Sequence, residues 1–229
     1  MNHSHAIVAF VIAVAGSLPA VAARPLELID AFALEYASNP RISPDGKQVV
    51  YTRNSMDIMT DRVRSRLWTI DTDGKNHRPL LDDSVKASGA RWSRGGERLA
   101  YVTSNDKGSA LMVRWTGSGE TARIAQTDRS PGNLTWSPDG SRLAYLLFAG
   151  EAFRLRIFDA ESGTTDQVTL RTSKPIASSS PLVWSPDGES IVLTLRPDGW
   201  QQRASTAFHE LTQAPVIVQD SRNDFLAWD

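Results

Sequence analysis

The pentapeptide WSPDG occupies residues 136–140 and occurs again, unchanged, at residues 184–188. Two related versions precede it in the chain, ISPDG at residues 42–46 and WSRGG at residues 92–96. The serines of successive copies lie 50, 44 and 48 residues apart. A period of roughly 40–50 residues is typical of proteins built from repeated units, and propeller blades of four strands have about this length. The motif therefore predicts about four copies of one structural unit.

Each copy is followed by a short run rich in Val, Ile, Leu and Tyr, and such runs between turn residues are typical of β-strands. The runs are KQVVYTR (47–53), ERLAYVT (97–103), SRLAYLL (141–147) and ESIVLTL (189–195). A second hairpin follows in most repeats, as in residues 66–81, where Asp73-Gly74 separates two apolar runs. Two hairpins give four strands in each repeat. The sequence therefore predicts an all-β fold, a β-propeller with WD40-like four-stranded blades.

The repeat also predicts how the chain is divided. We expect a leading helix or linker at residues 23–40, followed by blades at about residues 41–88, 89–132, 133–180 and 181–226. The segment LELIDAFALEYASNP (26–40) has the pattern of a short amphipathic helix that ends at its proline. Trp228 lies 44 residues after Trp184, so we interpret residues 227–229 as the start of a fifth repeat. Four blades and the start of a fifth leave strand edges unpaired, and we expect an incomplete ring.

The composition of the motif predicts a turn. Proline fixes φ at the first corner position, aspartate tolerates the second, and glycine adopts the positive φ that the chain needs to enter the next strand. The Ser and Asp side chains can bind nearby backbone N–H groups, so no nucleophile is implied. We expect the preceding tryptophans (Trp92, Trp136 and Trp184) to pack between blades. A ring of tryptophans that binds a ligand is the alternative. In the second copy Arg94-Gly95 replaces Pro-Asp.

Composition limits the classes of partner. A chain of 229 residues with 41% hydrophobic content is long enough to bury a core. Its formal net charge of −1 gives no reason to expect nucleic acid or an anionic membrane surface as a partner. The absence of cysteine excludes disulfides, cysteine-based zinc sites and a thiol nucleophile.

The N-terminus predicts export. Residues 5–22 are apolar and uncharged and end in Ala20-Val21-Ala22, the small-x-small pattern of a signal-peptidase site. We therefore expect a signal peptide at residues 1–22 and a periplasmic or secreted protein. An uncleaved membrane anchor is the alternative, although the run is near the lower limit for spanning and contains Gly16 and Pro19.

The sequence shows no catalytic motif. A Gly-x-Ser-x-Gly nucleophile elbow needs a glycine two residues on either side of the serine, and no serine of the chain has both. Ser118, in TGSGE, has its glycines at the wrong offset, and beyond the signal peptide His77 and His209 are the two histidines that could act as bases. We interpret both histidines as surface residues. We therefore predict no catalytic, cofactor-binding or metal-binding residue in this chain.

Two further segments have a structural and a functional interpretation. DTDGKN (71–76) has the beginning of a calcium loop, but Asn76 and Asp82 stand where that loop has Gly and Glu, so a hairpin turn is favoured. Arg62, Arg64 and Arg66 alternate with Val63 and Ser65. This pattern is typical of a solvated loop that enters a strand, and a basic rim near a substrate channel is the alternative.

Residues 34–81, with ARWSRGGERLAYVTS (90–104) and LTWSPDGSRLAYLLF (134–148), resemble a known propeller. They are similar to the N-terminal propeller of exported bacterial serine peptidases of the prolyl oligopeptidase (S9) family, in the dipeptidyl aminopeptidase and acylaminoacyl-peptidase branch. The likeness extends from about residue 26 to residue 148. The turn motif alone also resembles TolB-like (PD40) periplasmic propellers, but NSMDIMTDRVRSRLW (54–68) favours the peptidases.

The resemblance implies two domains with separate functions. In such peptidases the propeller caps an α/β-hydrolase domain, restricts access to short peptides, and leaves the catalytic Ser, Asp and His to that second domain. Our expectation is that this chain is the propeller portion, truncated before the hydrolase domain and inactive alone. The alternative is a self-contained TolB-like propeller that acts as a protein-interaction module.

Overall fold

The computed structural model describes residues 25 and 27–205. The expected signal peptide at residues 1–22, His209 and the expected start of a fifth repeat at residues 227–229 lie outside these residues, as does the end of the fourth blade window. Within the described part of the chain, no helix is long and apolar enough to cross a bilayer.

Three antiparallel sheets of four strands follow one another, each with its strands in sequence order. The first contains β1 (Glu35–Ile42), β2 (Gln48–Asp57), β3 (Arg62–Asp71) and β4 (Arg78–Pro79). The second contains β5 (Lys86–Trp92), β6 (Arg98–Asn105), β7 (Gly108–Trp115) and β8 (Thr121–Thr127). The third contains β9 (Gly132–Trp136), β10 (Arg142–Ala149), β11 (Ala152–Asp159) and β12 (Thr165–Gln167).

The fourth repeat is represented by its first hairpin, β13 (Val183–Trp184) paired with β14 (Ile191–Val192). An isolated bridge joins Ile176 to Leu195, and residues 200–205 are helical. The all-β class and the four-stranded blades are therefore confirmed.

The helix expected at residues 26–40 is wrong in extent. A 310 helix covers only Leu28–Ala33, where Asp30 accepts a hydrogen bond from the Glu27 backbone N–H at 2.8 Å and caps the helix. From Glu35 the chain is extended and pairs with β2 as the first strand of the sheet. Tertiary pairing prevails because β1 satisfies its backbone groups on β2, whereas so short a helix is marginal in water.

The repeated motif forms the turn between the first and second strands of every sheet. In the third sheet the Ser137 hydroxyl donates to Asp139 (2.5 Å) and accepts from the Arg142 backbone N–H (2.9 Å). Asp139 also accepts from the Ser141 N–H at 3.0 Å. The glycines of the four turns have φ between 72° and 79°. The predicted turn chemistry is confirmed.

The apolar core lies between the sheets. We call the face of a sheet that packs on the preceding sheet its leading face, and the face that packs on the following sheet its trailing face. Val50 and Leu67 on the trailing face of the first sheet pack with Leu99 and Tyr101 on the leading face of the second. The same arrangement recurs twice. Trailing residues Val102, Leu111 and Val113 pack with Leu143, Tyr145 and Phe158, and trailing residues Ala144, Leu146 and Leu155 pack with Ile176 and Leu182.

The tryptophans join neighbouring sheets through one repeated hydrogen bond. The indole N–H of Trp92 donates to the carbonyl of Arg41 at 3.2 Å, and that of Trp136 donates to the carbonyl of Arg91 at 3.0 Å. Trp184 donates in the same way to Thr135 at 3.2 Å. Each acceptor is the residue just before the matching motif of the preceding sheet. The prediction that these side chains pack between blades is confirmed, and their N–H groups set the register of one sheet on the next.

The four units form an open arc. Ile42 of the first sheet and Val183 and Val192 of the fourth are exposed. No strand among the described residues covers them. The expectation of an incomplete ring agrees with this arrangement.

Candidate functional site

Two ends of the arc carry different loops. The end with the repeated turns also carries the turns between the third and fourth strands, and we call it the turn end. The opposite end carries the hairpins between second and third strands and the links from one sheet to the next, and we call it the hairpin end. Each end has a cleft between the first two sheets, of about 620 Å³ at the turn end and about 540 Å³ at the hairpin end.

The hairpin-end cleft is the candidate site because it concentrates charge. The β2–β3 hairpin, the link after β4, the start of β5 and the β6–β7 hairpin all contribute to its wall. Its charged lining residues are Asp57, Arg62, Arg64, Arg66, Asp83, Lys86 and Asp106. The three arginines lie on one face of β3 because side chains alternate along a strand.

Ion pairs fix two of these arginines. Arg64 pairs with Asp57, whose side chain is buried, and Arg66 pairs through Nε with Oδ1 of Asp83 at 3.2 Å. Arg62 and Lys86 form no ion pair within the described part of the chain. They are the two cationic groups of the cleft that remain open to an anionic group of a ligand.

Asp57 is held in its charged form. Its burial alone favours the neutral carboxyl, but hydrogen bonds from Thr60, Arg64 and the Met59 backbone N–H outweigh this and keep the pKa of Asp57 below its ordinary value of 3.8. At neutral pH the Asp57 carboxylate therefore stays charged and keeps Arg64 against the wall of the cleft.

The other residues considered from the sequence do not come together. His77 lies just before β4, exposed, with its Nε2 2.7 Å from the Tyr51 hydroxyl and its ring 4.9 Å from that of Trp68. Ser118 is exposed in the β7–β8 turn, where its hydroxyl donates to Glu120 at 3.3 Å. The surface position predicted for His77 is confirmed.

The segment 71–76 forms the β3–β4 turn, as predicted. Gly74 has φ 86°, and the amide of Asn76 donates to the Asp71 carboxylate at 2.6 Å. Among residues 25 and 27–205, no group of three or more acidic or histidine side chains is arranged to hold a metal ion.

Sequence analysis missed one repeated contact. Arg98 and Arg142 stand five residues after the motif serine and donate to the carbonyls of Gly140 (3.3 Å) and Gly188 (2.7 Å) in the following turn. The arginine at a fixed offset was the available signal. The contact itself depends on the turns of neighbouring sheets lying side by side, which the sequence alone does not reveal.

The repeat, the stacked four-stranded sheets and the inter-sheet tryptophans agree with a family comparison. Residues 57–224 match PD40, described as the TolB beta propeller domain. The match covers more than half of the sequence. The chain belongs to the PD40 family. Its sheets are therefore blades of a TolB-type β-propeller.

Relatives of this PD40 chain fall into two groups. It is 34% identical over 107 residues to dipeptidyl-peptidase 5 of Porphyromonas endodontalis, a match covering 45% of this chain and 15% of that protein. It is 30% identical over 105 residues to the Tol-Pal system protein TolB of Alcanivorax borkumensis, covering 44% of this chain and 24% of that protein. The chain thus spans less than a quarter of the length of either relative.

A solved structure supports the fold. The β-propeller domain of the Trilobed protease from Pyrococcus furiosus superimposes with a TM-score of 0.53 at 21% identity, over 69% of this chain and 48% of that one. At this identity the likeness shows the propeller fold alone.

Proposed function

We propose that this chain is the substrate-gating propeller portion of an exported serine exopeptidase of the prolyl oligopeptidase family. The similarity to dipeptidyl-peptidase 5 carries the proposal, since it is a likeness in sequence, with 34% identity over 107 residues. We further propose that the catalytic serine belongs to a separate hydrolase domain and that the chain alone does not hydrolyse peptides. The absence of a Gly-x-Ser-x-Gly sequence supports this part.

The hairpin-end cleft supplies the chemistry of gating. Arg62 and Lys86 offer cationic groups for the carboxylate of a short peptide, while Asp106 offers a carboxylate for its amino group. A folded protein chain cannot enter a cleft of about 540 Å³. The cleft would therefore select short peptides at the hairpin end of the first two sheets.

A peptidase assay combined with peptide binding tests this function. Purified chain is mixed with chromogenic dipeptidyl and acyl-aminoacyl substrates, and binding of unblocked tetrapeptides is followed by NMR titration. We expect no turnover, and binding that weakens when Arg62→Gln and Lys86→Gln are introduced. Lys47→Gln, at the turn end, serves as the matched control. Turnover blocked by a serine-directed inhibitor would contradict the proposal, and so would equal binding by all variants.

Export belongs to the same proposal. Residues 1–22 carry the pattern of a cleavable signal, and mass spectrometry of chain recovered from outside the cytoplasm tests it. Cleavage after Ala22 gives a mature chain that begins at Ala23. Recovery of the chain with residues 1–22 intact in the membrane fraction favours the anchor instead.

The second candidate is a TolB-like interaction module, which the identity of 30% to a TolB protein favours. The two functions differ in what the cleft binds. A gating propeller responds to short peptides through Arg62 and Lys86. An interaction module binds a folded partner and does not respond to tetrapeptides in the same titration.

A further inference from the structure

The arginine contact that joins neighbouring turns is missing between the first two sheets. Arg98 and Arg142 stand five residues after their motif serines, and each donates to the carbonyl of the motif glycine in the next turn. Gln48 stands at the same offset in the first sheet. The carbonyl of Gly96, in the second turn, accepts from the Thr116 hydroxyl at 2.8 Å and, among the described residues, receives no bond from Gln48. The first pair of turns therefore lacks the guanidinium group that bridges the later ones.

The turn-end cleft lies where this guanidinium is missing. Its volume is about 620 Å³, and its wall includes Gln48 on the first sheet and Trp92, Gly95 and Gly96 on the second. All of its lining residues belong to the first two sheets and their turns. Clefts of about 300–1,000 Å³ are typical of sites for small ligands. Because glutamine is shorter than arginine and uncharged, the cleft stays open and keeps its polar groups available.

The third and fourth sheets show how a guanidinium is held at this position. Arg142 donates to the Gly188 carbonyl at 2.7 Å, and its guanidinium carbon lies 5.2 Å from the centre of the Trp184 ring. Its Nη2 also lies 3.8 Å from the Glu189 carboxylate. A carbonyl oxygen, an aromatic face and a carboxylate are the groups to which a guanidinium binds well.

The second turn has the same three groups at the same offsets along the chain. Gly96, Trp92 and Glu97 correspond to the glycine, tryptophan and glutamate around Arg142. The Gly96 carbonyl has a second lone pair, because the Thr116 hydroxyl uses only one. Trp92 is half-buried in the wall of the cleft. The Glu97 carboxylate lies against the lining glycine Gly95 and forms no ion pair in the described part of the chain.

The charges around the cleft also favour a cationic ligand. Asp45, Asp71 and Asp73 line it, and Lys47 is the one cationic residue among its lining residues. Lys75, just outside the lining, pairs with Asp73 at 2.9 Å. Together with the carboxylate at position 97, the carboxylates outnumber the two ammonium groups, and a cleft lined by one sign of charge attracts ligands of the other sign.

We propose that the turn-end cleft binds the guanidinium group of a ligand in the place of the missing arginine. The guanidinium donates to the Gly96 carbonyl, stacks on the Trp92 ring and pairs with the Glu97 carboxylate. The cleft is larger than one side chain requires, which leaves room for the backbone of a peptide that carries the arginine. This site lies at the opposite end of the sheets from the hairpin-end cleft, and the inference does not depend on the proposed function.

NMR titration of the full chain with two blocked tripeptides, acetyl-Gly-Arg-Gly-amide and acetyl-Gly-Lys-Gly-amide, tests the inference. Blocked ends leave no terminal carboxylate or amino group for the hairpin-end cleft, so the result is independent of the proposed function. We expect the arginine peptide to shift the indole N–H signal of Trp92 but not that of Trp136. The lysine peptide should bind about tenfold more weakly, because an ammonium group lacks the planar face that stacks on an indole.

Agmatine, a free guanidinium compound without a peptide backbone, distinguishes the two sources of the group. Weaker binding of agmatine than of the arginine peptide assigns the site to peptides. Equal or tighter binding assigns it to small guanidinium compounds. Shifts of Trp92 that are equal for the arginine and lysine peptides, or absent for both, overturn the proposal.

Two variants test the place of binding. Gln48→Arg supplies the guanidinium from the chain itself, as at the equivalent positions in the next two sheets, and should abolish binding of the arginine peptide while raising the melting temperature. Glu97→Gln should weaken binding about two- to fivefold. Gln167→Arg, exposed in β12, and Glu151→Gln, exposed in the third sheet, make the same changes of charge elsewhere and should bind as the unmodified chain does. Undiminished binding by Gln48→Arg overturns the proposal.

Discussion

At the scale of single residues, the third turn is held by hydrogen bonds between side chains and backbone groups that lie only a few positions apart. Ser137 is buried, and its hydroxyl both donates to Asp139 and accepts from the Arg142 N–H. The hydrogen bond from Ser137, with those from Ser141, lowers the pKa of Asp139 from its ordinary 3.8 to about 2. The Asp139 carboxylate is therefore charged at neutral pH and stabilises the turn, and this stabilising effect depends on pH.

Asp139→Asn should lower the free energy of unfolding at neutral pH. It should also make this free energy depend less on pH under acid conditions. A depressed carboxyl pKa contributes stability above the unfolded-state pKa near 3.8 and loses it as pH falls through about 2. The difference in urea midpoint between the unmodified chain and Asp139→Asn should therefore shrink between these pH values. Glu151→Gln, an exposed carboxylate in the same sheet, is the control. A difference that stays constant down to pH 2 would contradict the assignment.

Trp136→Phe should cost about 1 kcal/mol of the free energy of unfolding. Phenylalanine keeps most of the aromatic packing but leaves the Arg91 carbonyl without the indole N–H that it accepts at 3.0 Å. Trp115→Phe is the matched control, because the Trp115 indole makes no hydrogen bond within the described residues. Equal losses for the two variants in urea denaturation would show that packing area, and not the hydrogen bond, matters.

At the scale of the element, the second turn departs from the other three. It has Arg94-Gly95 in place of Pro-Asp, so the Ser93 hydroxyl lacks the aspartate partner found in the other turns. The turn still forms because Ser93 accepts from the Arg98 N–H at 3.0 Å and Gly96 has φ 79°. The serine and the second glycine are thus the minimum that this corner requires.

Gly95→Asp should stabilise the chain by about 1 kcal/mol, because it restores the missing hydrogen bonds and restricts the unfolded chain. A Cβ at this position would lie 2.5–2.7 Å from the Glu97 carboxylate, so this flexible side chain, which has the same charge as the new aspartate, must turn away. Gly96→Ala, one residue later, should instead destabilise by about 1–2 kcal/mol, since its positive φ disfavours any Cβ. Thermal unfolding of both variants tests this, and a loss of stability in Gly95→Asp contradicts it.

At the scale of the whole molecule, sheets differ in how many of their faces are covered. The second and third sheets pack on both sides, and their leucines and tyrosines are among the most deeply buried residues described. The first sheet is covered on its trailing face, and β14 carries the exposed Val192. Local stability should follow this order because local opening is easiest where few apolar contacts are broken.

Hydrogen exchange measured by mass spectrometry should therefore show the slowest amides in β6, β7, β10 and β11. The amides of β1 and β14 should exchange fastest among the described strands. Equal protection across all sheets would indicate that the arc unfolds only as one unit.

Several features followed from the sequence because they are local. The turns, the strands after them and the blade class depend on residue types at fixed short offsets, and WSPDG at residues 136–140 encodes its own hydrogen bonds. The hairpin at Asp73-Gly74 and the surface position of His77 were predictable for the same reason. The helix at residues 26–40 failed because β1 gains more by pairing with β2, and that gain depends on a distant strand.

Tertiary structure decided everything that depends on one sheet lying beside another. Arg98 and Arg142 reach the next turn, and the tryptophan indoles reach the preceding strand, across 42 to 51 residues of chain. The charged cleft likewise combines Asp57 of the first sheet with Lys86 and Asp106 of the second. The sequence by itself determined the repeating unit, because each unit is closed by short-range bonds. Only the stacking of the sheets determined which faces are buried and which remain open, because burial depends on the neighbour that each face meets.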